Sequence, residues 1–285
     1  MIYTIKNTYL SLEVSSLGAE IISLKSLRDG SEHMWEGREY WKKHAPLLFP
    51  FCGRLSNPYT YCGKEYPAST HGFISAVEFD TVKLVSESEI LLERRADEQT
   101  LALYPFDFVF SATYRLEGRS LVASYVIKNL SDVVMPYMFG LHPAFALPGE
   151  CPKEDFYIDF GGEIALTQHH DPINDIGATR KRLIEGGRLY ITDEIYDIDT
   201  IVLDGAGSAV DLVSPLGRVL RMSWSENFAH LCIWKWPDDG ARYICIEPWS
   251  NLPEKKDGAE ALEEKYAAHL APGGEETYSY RVDFS

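Results

Sequence analysis

From Phe106 to Leu116 every even position is apolar or aromatic, and every odd position except Val109 is polar. A period of two belongs to a half-buried strand, whose side chains point alternately to two faces. Glu117-Gly118-Arg119 supplies a turn, and Leu121, Ala123, Tyr125 and Ile127 then resume the alternation as far as Asn129. This pattern predicts a hairpin. Leu10 to Val14 alternates as well, and Asp29-Gly30 signals a turn after the segment Ile21 to Leu27. Val77 to Val85 pairs by pattern with Ile90 to Arg94, and Val210 to Val213 with Val219 to Trp224 across Pro215-Leu216-Gly217. Leu231 to Trp236 and Arg242 to Glu247 flank the turn residues 237–240, and Tyr278, Tyr280, Val282 and Phe284 close the chain.

Helical signals are few. Residues 258–270 are rich in helix formers and predict a short helix, with 38–43 as a second candidate. Many short strands over 285 residues, with no linker or low-complexity block, predict an all-β fold: one large antiparallel β-sandwich domain spanning residues 1–285. A propeller is the competing architecture, but no repeat of propeller or solenoid length is present.

Composition narrows the partners. Lys plus Arg is 27 against 43 for Asp plus Glu, a net charge of −16, while 45% of residues are hydrophobic. That is enough apolar material for a large core. The acidity argues against nucleic acid bound through its phosphates and against an anionic membrane surface. No apolar stretch has the roughly 20 residues of a membrane helix, and the amino-terminal sequence lacks a secretory pattern. Five cysteines (Cys52, Cys62, Cys151, Cys232 and Cys245) without Cys-x-x-Cys spacing suit free, mostly buried thiols in a reducing cytoplasm.

Four stretches interrupt the alternation with polar groups that strands do not require. Gly53-Arg54 follows the apolar run Phe49–Cys52, with Asn57 three residues on. A planar guanidinium there suits paired hydroxyls or a carboxylate, or it simply snorkels to solvent. His71 precedes Gly72, whose freedom permits an unusual turn that would aim the ring into a cleft. His142 lies in the apolar run Phe139–Phe145, where burial calls for a core hydrogen bond or a catalytic role. Glu247 ends a strand that is apolar on both faces, where a carboxylate is costly unless paired or used. Trp249 beside it offers a flat apolar face to a sugar ring. His33, His44 and His269 sit among polar residues and are expected to be exposed. His169 and His170 are adjacent, so on a strand they diverge and make a poor metal pair.

Gly53-Arg54…Asn57, His71-Gly72-Phe73, Gly140-Leu141-His142-Pro143 and Cys245-Ile246-Glu247-Pro248-Trp249, in that order, resemble the aldose 1-epimerase (mutarotase) family, and within it the bacterial LacX-like branch. The resemblance implies a β-sandwich with a sugar cleft. It implies Glu247 as general base and His142 as general acid. His71 would hold a sugar hydroxyl or assist protonation of the ring oxygen, and Arg54 would bind hydroxyls. Asn57 belongs to the first motif, and Asp199, chosen over Asp197, matches the place of a substrate-binding Asp. Asn57 is followed by Pro58 where galactose mutarotases carry Arg, and His71 by Gly-Phe rather than a doubled glycine. The resemblance therefore does not carry galactose over as the substrate.

The implied reaction opens and closes a pyranose at C1 and needs no metal or cofactor. The implied partner is a small-molecule sugar, with the chain a monomer or homodimer. Three alternatives stay open: a hexose-6-phosphate mutarotase, which wants extra Lys or Arg at the rim; a carbohydrate-binding protein without turnover; and, on ligand type alone, a metal enzyme built on His71, His142 and Glu247. A glycoside hydrolase would need a second carboxylate that the sequence does not identify.

Overall fold

The predicted hairpin is formed by two ten-residue strands, Phe108–Glu117 and Ser120–Asn129, joined by Gly118-Arg119. Gly118 adopts φ +57° with open space around it, the left-handed geometry a two-residue turn needs. Burial alternates as the sequence predicts, with Phe108, Phe110, Ala112, Tyr114 and Leu116 inside and the residues between them less covered. The computed structural model describes residues 1–38, 40–55, 58–171, 175–192, 200–238, 240–253, 261–265 and 267–285.

Among these residues the hairpin lies within a nine-stranded sheet. Glu89–Arg95 and Thr81–Ser86 extend it on one side. Glu275–Phe284, Gly217–Trp224, Ala209–Ser214, Tyr157–Asp159 and Arg188–Tyr190 extend it on the other. A second sheet runs in the order Asp175–Ile184, Ile164–Asp171, Thr200–Asp204, His230–Trp234, Tyr243–Trp249, Gly140–Leu141 and Leu47–Leu48. Ala144–Ala146 also pairs with Tyr243–Trp249. Every ladder in the two sheets is antiparallel.

One apolar cluster joins the sheets, drawing Phe108, Phe110 and Tyr125 from the first and Ile201, Ile233, Ile244 and Ile246 from the second. The fold is therefore an antiparallel β-sandwich. Each fully buried aromatic side chain contributes roughly 1.5–3 kcal/mol of transfer free energy. Buried tyrosines stay affordable because their hydroxyls find acceptors: Tyr104 donates to Pro136 O at 2.8 Å and Tyr114 to Ala19 O at 2.7 Å.

Local departures from the sequence expectations have physical causes. Within 258–270, residues 258–260 and 266 lie outside the described set. The described part holds a single 3₁₀ turn, Leu262–Glu264, and a strand, Ala268–Leu270, that pairs with Met135–Tyr137. Helix propensity is a weak preference, and tertiary strand pairing overrides it there. The described residues of 38–43 are also non-helical; the indole of Trp35 donates to Trp41 O at 2.7 Å and ties the segment down as a loop.

A helix that the pattern did not predict, Glu98–Leu103, opens on a reciprocal cap. The Asp97 carboxylate accepts from Thr100 N, and Thr100 Oγ1 accepts from Asp97 N. His33 and His44 are half-buried rather than exposed: His33 stacks on Phe284 at 4.2 Å, and His44 lies 3.6 Å from the Glu20 carboxylate. All five cysteines are free, and Cys62 is the exposed one. No described helix is long and apolar enough to cross a membrane.

Candidate active site

Tyr243–Trp249 is buried at every position. Ile244 and Ile246 face the sandwich core, so alternation turns Tyr243, Cys245, Glu247 and Trp249 to the opposite face of the sheet. Glu247 is 1% exposed. Two short strands, Gly140–Leu141 and Ala144–Ala146, lie alongside, with Gly140 opposite Trp249 and Ala144 opposite Cys245. The intervening His142-Pro143 interrupts the pairing, and in this register residue 142 falls opposite residue 247. His142 Nε2 stands 3.4 Å from Glu247 Oε1. The two side chains singled out in separate motifs thus meet as a buried pair.

His71 arrives from another direction. Its backbone N–H donates to Gly53 O at 2.8 Å, while Gly53 N–H donates to His71 Nδ1 at 3.0 Å. This reciprocal pair ties the His71 loop to the Gly53-Arg54 segment. Because Nδ1 accepts, the ring carries its proton on Nε2 and is neutral. His71 takes φ +65° and Gly72 φ +72°. A Cβ on Gly72 would lie 2.2 Å from Phe49 O, so only glycine allows this approach. The His71 ring meets His142 edge-on at 5.4 Å and Trp249 at 5.8 Å.

Burial disfavours an added proton on both rings. It holds His71 down to about 4 from the usual 6.5. It also holds His142 well below that value, helped by the neighbouring His71. As pH falls below 6.5 the unfolded chain binds protons that folded His71 refuses, so stability declines toward pH 4. We expect the melting temperature to fall across this window more steeply for the wild type than for His71→Asn. Superimposable pH profiles of melting temperature would contradict the assignment.

The cleft above the pair has a volume of about 340 Å³, within the roughly 300–1,000 Å³ of small-molecule sites. Its lining includes Arg54, His71, His142, Glu247 and Trp249. Arg54 is exposed at its mouth. Trp249 is 4% exposed and packs with Leu48, Cys52 and Cys232, so it forms wall more than open platform. Asn57, Asp199 and Asp197 lie outside the described residues.

Sequence reasoning missed Trp41, Trp234 and Lys43, which also line the cleft. Trp41 stacks on His142 at 4.8 Å, and Trp234 meets the same ring edge-on at 5.6 Å. A usable signal for Trp234 was alternation in its strand, which turns His230, Cys232 and Trp234 to the face shared with Glu247. Trp41 and Lys43 sit on the loop anchored by Trp35 and carried no comparable signal. His169 pairs across strands with Asp204, whose carboxylate also meets His230.

Similarity to known proteins is extensive. The aldose 1-epimerase sequence model matches residues 1–281. Protein LacX (plasmid) of Lactococcus lactis subsp. lactis is 31% identical over 283 residues, covering 93% of both chains. The structure of a galactose mutarotase related enzyme from Lactobacillus acidophilus matches with a TM-score of 0.90 at 30% identity, covering 100% of this chain and 97% of the other. A galactose mutarotase-like protein from Lactobacillus casei ATCC 334 matches with a TM-score of 0.88 at 26% identity, over 100% of both chains.

Proposed function

The chain belongs to the aldose 1-epimerase family, and from that premise we propose that it interconverts the α and β anomers of a free aldohexose. The supporting observation is the buried pair: a carboxylate and an imidazole 3.4 Å apart at the base of a sugar-sized cleft. That spacing suits the two oxygens borne by C1 of a pyranose. Glu247 takes the proton from the C1 hydroxyl while His142 gives one to the ring oxygen. The C1–ring-oxygen bond breaks and the aldehyde forms. Rotation about C1–C2 presents the other face; as the ring closes, Glu247 gives its proton to the aldehyde oxygen and His142 takes one back from the attacking hydroxyl. The pair holds one transferable proton throughout, on His142 before opening and on Glu247 after it. The Glu247 carboxylate 3.4 Å away supports the imidazolium that burial on its own disfavours, and burial makes the proton it carries readily released.

His71 acts here as a neutral Nε2–H donor to a sugar oxygen, since accepting from Gly53 prevents protonation at Nδ1. Trp41 and Trp234 supply the apolar faces that a pyranose ring lies against, and Arg54 binds hydroxyls at the mouth. Asn57 and Asp199 complete the binding set in this proposal.

A second reading has its own support. Lys43 and Arg54 both line the cleft, and two cations in a chain of net charge −16 favour an anionic group on the substrate, such as a 6-phosphate. Polarimetry on freshly dissolved α-aldoses, free and phosphorylated, separates the two. Acceleration of a free hexose above the spontaneous rate supports the first reading. Acceleration confined to the phosphate esters supports the second. Binding of sugar without acceleration of any member would reject both and leave a sugar-binding protein.

A further inference from the structure

A second group of polar side chains lies on the cleft-facing side of the same sheet but outside the cleft. Thr200 and Val202 line the cavity, and alternation puts Asp204 on their face of the strand Thr200–Asp204. His230 sits directly opposite Asp204 in the neighbouring strand, and on the other side of His230 lies Trp249. In the strand beyond, Thr167 is opposite Asp204, so His169 stands two residues along on the same face. Three adjacent strands thus project two imidazoles and a carboxylate to one point.

The atoms converge closely. His169 Nε2 lies 3.1 and 3.0 Å from the two Asp204 oxygens, and His230 Nδ1 lies 2.6 Å from Oδ1. One ligand atom from each residue falls within 4.8 Å of the others. Bonds of about 2.0–2.2 Å to zinc place neighbouring ligand atoms roughly 3–3.5 Å apart, so only small adjustments are needed. His169 is 5% exposed, His230 17% and Asp204 36%, which leaves the carboxylate side open to water. Imidazole with carboxylate suits late first-row ions over magnesium or calcium. Backbones fixed by sheet pairing hold all three ligands in place.

We infer that His169, Asp204 and His230 form a binding site for one divalent transition-metal ion, with zinc as its natural probe and water in the remaining coordination positions. This extends the sequence expectation, which assigned no metal and weighed His169 only against His170. The site stands independently of the anomerase reading, because none of its three residues lines the cleft. A bound ion would clamp three strands that also carry Thr200 and Trp234 into the cavity.

A rival group, His142, Cys245 and Glu247, lies at the base of the cleft and must be told apart. The untagged full chain is titrated with Zn²⁺ by calorimetry and with Co²⁺ by visible absorption, beside His230→Asn, Asp204→Asn and Glu247→Gln. We expect one ion per chain in the wild type and in Glu247→Gln, with no cobalt–thiolate band. Affinity should fall by more than about 100-fold in His230→Asn and Asp204→Asn, beyond the loss that follows removal of a supporting group. The wild type's melting temperature should rise with Zn²⁺. Absence of binding in the wild type, a thiolate band, binding lost in Glu247→Gln, or undiminished affinity in folded His230→Asn would each overturn the site. The stoichiometry and spectrum of the unaltered protein stand even if a variant fails to fold.

Discussion

Glu247→Gln is expected to lower turnover by about 10²–10⁴-fold while sugar affinity stays close to that of the wild type. The amide keeps the volume of the side chain in a strand buried at every position, so packing beside the cross-strand neighbour Cys232 is preserved. It also keeps a carbonyl oxygen able to accept a hydrogen bond from the C1 hydroxyl. What it loses is the capacity to take the proton away. Without that step the ring oxygen can be protonated by His142, but the C1 hydroxyl cannot collapse to the aldehyde on the enzyme. Polarimetry gives the rate and calorimetry with the same sugar gives the affinity. A variant that matched the wild-type rate would refute the base assignment. A variant that lost affinity and rate together would recast Glu247 as a binding residue.

Gly72→Ala is expected to destabilise the fold by about 2–5 kcal/mol, combining left-handed backbone strain with a clash. The added carbon would press on Phe49 O, C and Pro50 N, all backbone atoms in a buried segment. The same loop carries His71, so activity should fall as the ring leaves its contact with Gly53. Gly118→Ala is the control. It shares a positive φ, yet nothing lies within 4 Å, so its cost is about 1–2 kcal/mol. Chemical denaturation of the two variants measures the difference. Equal stability would show that the Gly72 approach is relaxed cheaply and that the loop does not depend on it.

The first sheet was legible because several of its strands keep a period of two, with burial alternating along 108–116, 121–129 and 278–284. Glu247 and His142 stood out for the opposite reason: each is a titratable group in a run with no polar face to receive it. Their meeting was not legible from either motif, since it depends on Gly140 and Ala144 sharing one partner strand. The same holds for the cluster of His169, Asp204 and His230, where sequence adjacency drew attention to His170 and concealed the cross-strand neighbours. Trp41 and Lys43 depend on a loop whose anchor, the Trp35 indole, reaches six residues along the chain. Helix Glu98–Leu103 was missed because its signal is the short cap Asp97-x-x-Thr100 rather than an apolar stripe.

Proton transfer at an anomeric centre that leaves every carbon–hydrogen bond intact is measured most directly by NMR exchange spectroscopy on a reducing sugar in D₂O. With the wild-type protein present, the α and β anomeric proton signals should exchange faster than in buffer alone, and no deuterium should enter C1 or C2. Exchange no faster than in buffer across the free and phosphorylated aldoses, or deuterium appearing at C2, would contradict ring opening by Glu247 and His142.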